Sequence, residues 1–430
     1  MRQTSRWLRV GALLTAVVAL TACGGSSGGG GGGSSSAGGK TVLTFWSRDS
    51  QKDFIAPIIA KYNASQKKIQ VKVTVIPAAE FVQKLGTAAA TGTGPDLTSL
   101  DLVYAPYFAQ AGALKDITDK AKSLPYFGKL SPTHLRLGTY KDKIYALPFT
   151  AEASVLYYNK GLFKKAGLNP DKPPTTWAEL ESDAQKITAL GGGIKGFYFS
   201  GACGGCNVFT LSPLIWASGG DIMKGEKAAL DSPEVTNALT LYRSMWDKGL
   251  ISPSAKTDDG ATFGGGFGDG KLGMVGSGAF QVGSLKKDHP DLDFGVTPLP
   301  GKDGGSSSFA GGDTITIMNS TKNADAAWKF VQWATDAGQK EVAATGVVPV
   351  RSDIAASDYV TQDPRFVLLA EMMTKGNCPY SVVENALFND SNGPWSQMVQ
   401  KAVFGGGDIK ATQAQYQKIA DEIVSRGPGG

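Results

Sequence analysis

YKDKIYALPFTAEASVLYYNKGL, residues 140–162, contains two strand-like runs near the middle of the chain. The first run stops at Pro148, and the second covers Ser154 to Tyr158 before an Asn-Lys-Gly turn. The segment between them is too polar for a core and too poor in glycine for a flexible linker. The pattern predicts a crossover between two lobes, and we expect its residues to line a cleft.

Strand and helix patterns alternate on both sides of this crossover. Upstream, strand patterns over 41–46 and 69–76 flank an amphipathic helix pattern over 52–63, an order that favours a parallel sheet. Downstream the alternation repeats in a second body. A chain of 430 residues with 42% hydrophobic content has enough material for two domains with a core each. The expected fold class is therefore α/β with two lobes.

The N-terminal segment is expected to lie outside the folded part. Three arginines precede a short apolar run, so residues 1–22 are predicted to be a signal peptide. The small residues before Cys23 resemble the bacterial lipoprotein signal, in which this cysteine is lipidated. Residues 23–39 would be the lipidated cysteine and a flexible Gly/Ser tether, on the extracytoplasmic face of the cell membrane. A low-complexity segment without function stays an alternative.

The charge of the chain excludes one class of partner. The whole sequence has 43 basic and 38 acidic residues, a formal charge of +5. Residues 1–22 contribute three arginines and no acid, so 40 basic and 38 acidic residues remain beyond them, a charge of +2. This near balance, without a long basic run, argues against nucleic-acid binding.

The cysteines beyond residue 23 indicate a structural bond more than a redox or metal centre. Outside the cytoplasm, the pair Cys203 and Cys206 favours a disulfide over a thiol redox centre. A redox centre should follow a strand and open a helix, and the intervening glycines predict no helix start. Cys378 could pair with either. His134 and His289 lie far apart in sequence, so we expect no metal site and no cofactor.

Motifs for catalysis are weak. The glycine-rich segment 265–272 has phosphate-loop spacing, but Leu272 stands where a hydroxyl is required, and the loop precedes a strand. Neither His134 nor His289 has a G-x-S-x-G elbow to serve, and both are predicted to be surface residues. No carboxylate pair is singled out for glycoside hydrolysis, although convergent acids leave that alternative open. We therefore predict a protein that is not an enzyme.

Single aromatic and acidic residues at strand ends are the features that remain. Ligands bind at the carboxyl edge of open α/β sheets. Sugars need aromatic faces for their C–H side and carboxylates for their hydroxyls, so the set favours a carbohydrate site. Taken singly, each residue could equally be structural. The residues are Trp46, Asp49, Asp101, Glu152, Trp216, Phe280 and Asp313.

Six motifs give the chain a family resemblance. TFWSRD, GTGPDL, the crossover with PPTTWAEL, FGDGKLGMVGSGAF, AGGDTITI and VVPVR resemble extracellular solute-binding proteins (family 1) of sugar-type ABC importers. The resemblance implies a periplasmic-binding-protein-like (type II) fold over residues 40–430, with a hinge between lobes that close over a ligand. Lobe 1 would comprise about 40–148 plus about 300–350, and lobe 2 about 149–299 plus about 351–430.

The resemblance also carries ligand-binding positions onto this sequence. It implies that the seven strand-end residues line the cleft, together with Gly312 and, in the late PVR motif, Arg351, which could equally form a lobe-stabilising ion pair. Phe280 stands where the family often has Trp, and the insert at Cys203 and Cys206 is not a general feature. The expected protein is a monomeric, lipid-anchored binder that delivers a mono- or oligosaccharide to an ABC permease. A tethered glycosidase and a phosphorylated polyol or peptide ligand are the alternatives.

Overall fold

The computed structural model describes residues 39–427, apart from Phe263 and the side chain of Ala79. These residues belong to one compact unit, Ala37–Gly430. The predicted signal peptide, Cys23 and nearly all of the tether lie outside the described residues. Within the described part, no helix combines the length and apolar character needed to cross a bilayer.

Helices and strands alternate from the first described residues to the crossover strand, with short 3-10 turns over Asp49–Gln51, Leu102–Tyr104 and Phe127–Lys129. In chain order they are β1 (Thr41–Arg48), α1 (Lys52–Ser65), β2 (Ile69–Ile76), α2 (Ala78–Thr91), β3 (Leu97–Asp101), α3 (Ala105–Gln110), α4 (Thr118–Lys122), α5 (Pro132–Leu137), β4 (Thr139–Tyr140), β5 (Lys143–Ile144) and β6 (Ala146–Asn159).

The elements that follow the crossover strand include 3-10 turns over Pro253–Thr257 and Phe267–Asp269 and π-helical turns over Ala355–Tyr359 and Asn385–Asn389. In chain order they are α6 (Lys160–Lys165), α7 (Trp177–Thr188), β7 (Lys195–Tyr198), α8 (Gly204–Thr210), α9 (Ser212–Ala217), β8 (Met223–Lys224), β9 (Lys227–Ala228), α10 (Pro233–Asp247), β10 (Leu272–Gly278), α11 (Phe280–Asp288), β11 (Phe294–Thr297), β12 (Leu299–Pro300), β13 (Ser306–Ser307), β14 (Ala310–Ile317), α12 (Ala324–Thr335), α13 (Gly338–Ala344), α14 (Ser352–Ile354), α15 (Pro364–Lys375), α16 (Pro394–Phe404) and α17 (Ile409–Arg426).

The main sheet has the strand order β2-β1-β3-β14-β6-β10-β7, and β11 also pairs with β6. β1 is parallel to β2 and to β3, as the βαβ pattern predicts. β14 comes late in the chain and inserts antiparallel between β3 and β6. A late part of the chain thus adds a strand next to β3. The strands that precede and follow the crossover meet at β14 and β6.

The crossover is one continuous strand, β6, of 14 residues. Its first part, up to Ala153, pairs with β14, and the rest pairs with β10 and β11. The predicted break at Pro148 is wrong. Pro148 lies opposite Thr314, where the register of β14 shifts, so its missing N–H falls at an irregularity in the ladder.

The local structure around the CGGC segment differs from the prediction. It follows β7, and Cys203 is the N-cap of α8, with its sulfur accepting a hydrogen bond from the N–H of Cys206 at 3.1 Å. The prediction of no helix start is therefore wrong. The sulfur of Cys203 accepts from an N–H group in the first turn of α8, which the intervening glycines, without side chains, cannot do. Cys203 and Cys206 form a disulfide, and Cys378 is a buried free thiol.

His134 is fully buried, so the prediction of a surface histidine is wrong for this residue. Its Nδ1 accepts from the Ser131 hydroxyl at 2.8 Å, and its Nε2 donates to the Thr150 carbonyl at 3.1 Å. Burial lowers the pKa of His134 to about 4, although the hydrogen bond to Thr150 opposes the shift. The neutral imidazole ties α5 to the crossover strand and serves a structural role.

Candidate ligand-binding cleft

Arg48, the last residue of β1, is the centre of a charged group that three strands contribute. β1 extends two residues beyond the predicted end, which places Arg48 inside the strand. Its Nη1 lies 2.8 Å from Asp101 Oδ2 on β3, and its Nη2 lies 2.5 Å from Asp313 Oδ1 on β14. Asp101 and Asp313 are direct cross-strand partners. One guanidinium therefore holds together two carboxylates that would otherwise repel each other.

The electrostatics of this group follow from burial. The side chain of Asp313 is fully buried and accepts a hydrogen bond from Ser99 Oγ at 2.7 Å. Burial raises the pKa of Asp313 to about 6; Asp101 adds to the rise, and Arg48 opposes it. Burial alone would lower the pKa of Arg48, but the two carboxylates keep it above its ordinary value. Arg48 therefore stays protonated throughout the pH range of the folded protein.

Glu152 lies on the crossover strand, opposite Gly311. Asp313 lies two residues after Gly311 on β14. Because side chains alternate along a strand, Asp313 and Glu152 lie on the same face of the sheet. The backbone N–H groups of Ala279 and Phe280, at the start of α11, act to lower the pKa of its carboxyl. Its Oε2 is buried and has no hydrogen-bond partner among residues 39–427. Burial raises the pKa of Glu152 to about 8, and Asp313 adds to the rise.

Phe280 lies beside this carboxyl, and an aromatic cluster lies on the neighbouring strand β14. Phe280, the first residue of α11, is 47% exposed. On the neighbouring strand, a Cβ on Gly311 would meet the ring of Phe309 at 2.9 Å, so the glycine makes room for that ring. Phe309 packs against Phe209 at 5.4 Å and stacks on Trp216 at 6.2 Å between ring centroids. An acid beside aromatic faces is the combination that the sequence predicts for a sugar site.

A second buried acid faces the group from the C-terminal part of the chain. Glu384 is 2% exposed, and its Oε2 accepts from the Asn389 amide at 2.8 Å. No described residue provides a partner for its Oε1. Burial raises the pKa of Glu384 well above its ordinary value, and Asp101 adds to the rise. The acid is therefore close enough to the Arg48 group to sense its charge.

A cavity of about 500 Å³ lies beside Glu384, and Arg48, Glu152 and Asp313 are not among the residues that line it. α2 and Tyr104 line one side; residues 382–386 and α17 line the other. The Tyr104 hydroxyl bridges the cavity by donating to Asn385 Oδ1 at 3.2 Å. Burial raises the pKa of Tyr104 above its ordinary value, so it remains a hydroxyl donor. The volume is within the usual range of small-molecule sites.

Trp46 and Asp49 face α2 instead of the Arg48 group. Trp46 is half-buried and lines a separate hollow of about 450 Å³ beside α2. Asp49 is exposed, and its Oδ1 accepts from the N–H of Ala78, the first residue of α2, at 3.0 Å. A carboxylate at that position stabilises a helix N-terminus. Both residues as ligand contacts stay predictions.

The remaining predicted residues have structural contacts. Gly312 has φ +117°, and a Cβ there would collide with the Thr150 carbonyl of β6, so only glycine allows the close approach of the two strands. Trp216 donates its Nε1–H to Asp221 at 2.8 Å while it stacks on Phe309. Gly312 follows Gly311, the cross-strand partner of Glu152, and Trp216 reaches this strand through Phe309. Direct contact of either residue with a ligand stays a prediction.

Arg351 contacts a different set of residues. Its guanidinium bonds to Asp336 at 2.7 Å and to Asp353 at 2.6 Å, and it lies over the Tyr126 ring at 4.6 Å. These contacts fit the ion-pair alternative. Its role as a ligand contact therefore stays a prediction without a structural argument behind it.

The sequence patterns did not single out several residues of the cleft. Arg48 lies inside the TFWSRD motif, but the pattern of aromatic and acidic residues at strand ends does not reveal it as the partner of two of those acids. Glu384 precedes a π-helical turn, far from any strand end, so the rule that ligands bind at strand ends cannot identify it. Within the described residues, no group of three or more His, Cys, Asp or Glu side chains could hold a metal ion.

Comparisons with known proteins place the chain among binding proteins. It is 28% identical to the maltotriose-binding protein of Pyrococcus abyssi over 76% of this chain and 70% of that protein. It is 27% identical to the sn-glycerol-3-phosphate-binding periplasmic protein UgpB of Escherichia coli over 60% and 61%.

The solved structure of an ABC transporter solute-binding protein of Thermotoga lettingae, bound with alpha-D-tagatose, matches 90% of this chain and 100% of that one. The sequence identity is 26% and the TM-score is 0.77. The mixed α/β fold is thus the two-lobed type II fold of periplasmic binding proteins, as predicted from sequence. Residues 57–367 match the model of the bacterial extracellular solute-binding protein family, so the chain belongs to that family.

Proposed function

We propose that the protein is the substrate-binding component of an ABC importer and captures a carbohydrate in the cleft around Arg48, Glu152 and Glu384. It holds a mono- or oligosaccharide without changing it and delivers it to the permease. We further propose that it acts as a monomer on the extracytoplasmic face of the membrane, anchored through a lipid on Cys23 and spaced from the surface by the Gly/Ser segment.

The observation that carries the sugar assignment is the buried carboxyl of Glu152 beside Phe280. Its Oε2 needs a hydrogen-bond donor, and residues 39–427 supply none. Phe280 beside it is 47% exposed. A pyranose suits this arrangement, because its hydroxyls donate to a carboxyl oxygen while its C–H face packs on an aromatic ring. The maltotriose-binding relative and the tagatose-bound structure agree with this assignment.

Hinge closure is the proposed mechanism. β6 runs through both parts of the sheet, so a small change along this strand would rotate one part against the other. The hydrogen bond from Tyr104 to Asn385 joins the two sides of the cavity in the closed form. A ligand that contacts both sides favours that form by its differential affinity for it.

Tryptophan fluorescence tests the assignment. Trp46 and Trp216 are half-buried close to the proposed cleft, so closure should change their emission. The full-length protein is titrated with glucose, mannose, tagatose, maltose, maltotriose and mannobiose. We expect a saturable change with at least one of them, together with a raised Tm at saturation. Absence of any response across the panel contradicts the carbohydrate assignment.

A tethered glycosidase is the second candidate, and one observation favours it. Burial raises the pKa of Glu152 to about 8, which is the property of a general acid. Hydrolysis of aryl glycosides that disappears in Glu152→Gln would establish this alternative. The binding function instead predicts no turnover in either protein, while Glu152→Gln weakens sugar binding.

A further inference from the structure

The turn closed by the disulfide between Cys203 and Cys206 lies against the π-helical turn Asn385–Asn389. A Cβ on Gly204 would collide with the carbonyl oxygen of Phe388. Only a residue without a side chain allows two backbone segments to approach so closely. The first turn of α8 and the π-helical turn therefore pack with their backbones in contact.

Gly205 packs against a side chain of the same π-helical turn. A Cβ on Gly205 would lie 2.5 Å from Asn389 Oδ1, so the amide of Asn389 contacts this glycine directly. The nitrogen of that amide donates to Glu384 Oε2 at 2.8 Å, and a hydrogen bond with Asn389 also opposes the rise in the pKa of Tyr104. Of the described residues, Glu384 and Tyr104 line the cavity of about 500 Å³, whereas Asn389 does not. Asn389 thus acts on the cavity through two residues that line it.

A second loop holds the disulfide from its other side. Gly260 has φ +101°, and a Cβ there would lie 2.9 Å from Cys206 Sγ and 3.0 Å from Cys203 Sγ. Asp258 anchors this loop on β7, because its Oδ2 accepts from the Tyr198 hydroxyl at 2.7 Å. The disulfide therefore lies between a loop anchored on the sheet and the π-helical turn beside the cavity.

The disulfide also restrains two consecutive glycines. Glycine loses more conformational freedom on folding than any other residue, so a Gly-Gly step keeps a fixed position only under a restraint. A disulfide between residues three positions apart supplies that restraint, because its bond geometry allows few conformations of the chain between them. The turn is thus both thin enough to touch the π-helical turn and rigid enough to hold it in place.

We propose that the disulfide-closed turn is a positioning element of the ligand cavity, and that Asn389 is the positioning residue through which it orients Glu384 and Tyr104. The proposal rests on the carbohydrate-binding function proposed above. The turn determines where the Asn389 amide lies. That amide engages Glu384 Oε2, so that Oε1, which has no partner among the described residues, is left for a solute.

Gly205→Ala in the full-length protein tests the proposal. Outside its own helix, the added methyl group would meet only Asn389 within 4 Å among the described residues, so it displaces a flexible amide and spares the fold. Titration with the sugar panel named above should show affinity about fivefold weaker, the effect of one lost hydrogen bond, with a melting curve like that of the wild type. Gly283→Ala is the control, because this exposed helical glycine has no described atom within 4 Å outside its own helix. Equal affinities of the wild type, Gly205→Ala and Gly283→Ala overturn the proposal.

Two further variants identify the route from the turn to the cavity. Asn389→Ala should weaken sugar binding as much as Gly205→Ala does, and the combined variant should bind no more weakly than Asn389→Ala alone. Replacing both Cys203 and Cys206 by Ser should weaken binding in the same direction, because the glycines lose their restraint. Additive losses in the combined variant, or wild-type affinity without the disulfide, overturn the proposal.

The carboxyl of Glu384 gives a readout that needs no sugar. The hydrogen bond from Asn389 opposes the rise in the pKa of Glu384, so its loss in Gly205→Ala should raise that pKa further. A carbon-13 NMR titration of this carboxyl, with its signal assigned through Glu384→Gln, measures the shift against the wild type and Gly283→Ala. Equal midpoints in all three proteins overturn the proposal. If no sugar of the panel binds, the carbohydrate function fails, and a shifted midpoint still supports the positioning of Glu384 by the turn.

Discussion

Substitution of Arg48 by Met should destabilise the fold in a pH-dependent way. The guanidinium lies between Asp101 and Asp313, and the side chain of Asp313 is fully buried. Removing one partner of a buried ion pair costs about 3–5 kcal/mol, because the remaining charge stays desolvated. We expect a loss of that size at pH 8, measured by urea unfolding followed by circular dichroism. The corresponding fall in Tm would be about 4–6 °C for a folded chain of this length.

The sign of the pH dependence follows from Asp313. Its folded-state pKa is about 6, above its ordinary value, so the folded state binds the proton more tightly than the unfolded state does. The contribution of Asp313 to stability therefore falls as pH rises from about 4 to about 6. Without Arg48 the pKa of Asp313 rises further, and the penalty extends to higher pH. The variant should thus lose less at pH 5 than at pH 8.

A matched control distinguishes the stability lost at a buried ion pair from the stability lost when any cation is removed. Lys120 forms an ion pair with Asp325, whose side chain is 92% exposed. Exposed pairs contribute about 0–1 kcal/mol, so Lys120→Met should stay within that range at both pH values. If Arg48→Met unfolds at the wild-type urea concentration, or loses the same amount at pH 5 and pH 8, the account of the Arg48 group is refuted.

Three further substitutions test the structural basis of the cleft. Gly312→Ala should lower stability by about 3 kcal/mol or more, because of its positive φ and the collision with β6, whereas Gly283→Ala in α11 should cost nothing; equal melting temperatures would contradict this. Replacing Cys203 and Cys206 by Ser should cost about 2 kcal/mol, the chain-entropy value for so short a loop, and reductant should then have no further effect. Because the pKa of His134 is lower in the folded than in the unfolded state, this residue should cost the wild type about 3 kcal/mol of stability between pH 6.5 and pH 4. His134→Gln should not show that loss. If the stability of the variant falls with pH as steeply as that of the wild type, the buried neutral imidazole is contradicted.

The crossover shows how far local sequence patterns reach. Alternation and strand propensity identify β6 and its role between two bodies, because these signals are carried by neighbouring residues. The strand continues through Pro148 because β14 shifts register opposite it. That partner strand lies more than 160 residues later in the chain, so no local pattern can reveal the shift. The lobe boundaries within residues 40–430 stay a prediction for the same reason.

The candidate site was predictable where the sheet edge determines it. Asp101 ends β3, whereas Asp313 and Glu152 lie inside the neighbouring strands β14 and β6, and strand pairing brings them to the edge that the rule for ligand binding identifies. Glu384 reaches the cleft from a segment without strand character, and Arg48 becomes recognisable only once its two acids are known to be cross-strand partners. Long-range pairing, which periodicity does not encode, thus decides the remaining part of the site.

The crystal structure of the protein with the sugar that gives the largest fluorescence response tests the central claim most directly. We predict that sugar hydroxyl or amino groups lie within about 3.2 Å of both Glu152 Oε2 and Glu384 Oε1. We also predict that a ring of the sugar packs on Phe280. A sugar bound elsewhere, for example in the hollow beside Trp46, with both carboxyl oxygens still lacking a partner, would contradict the account.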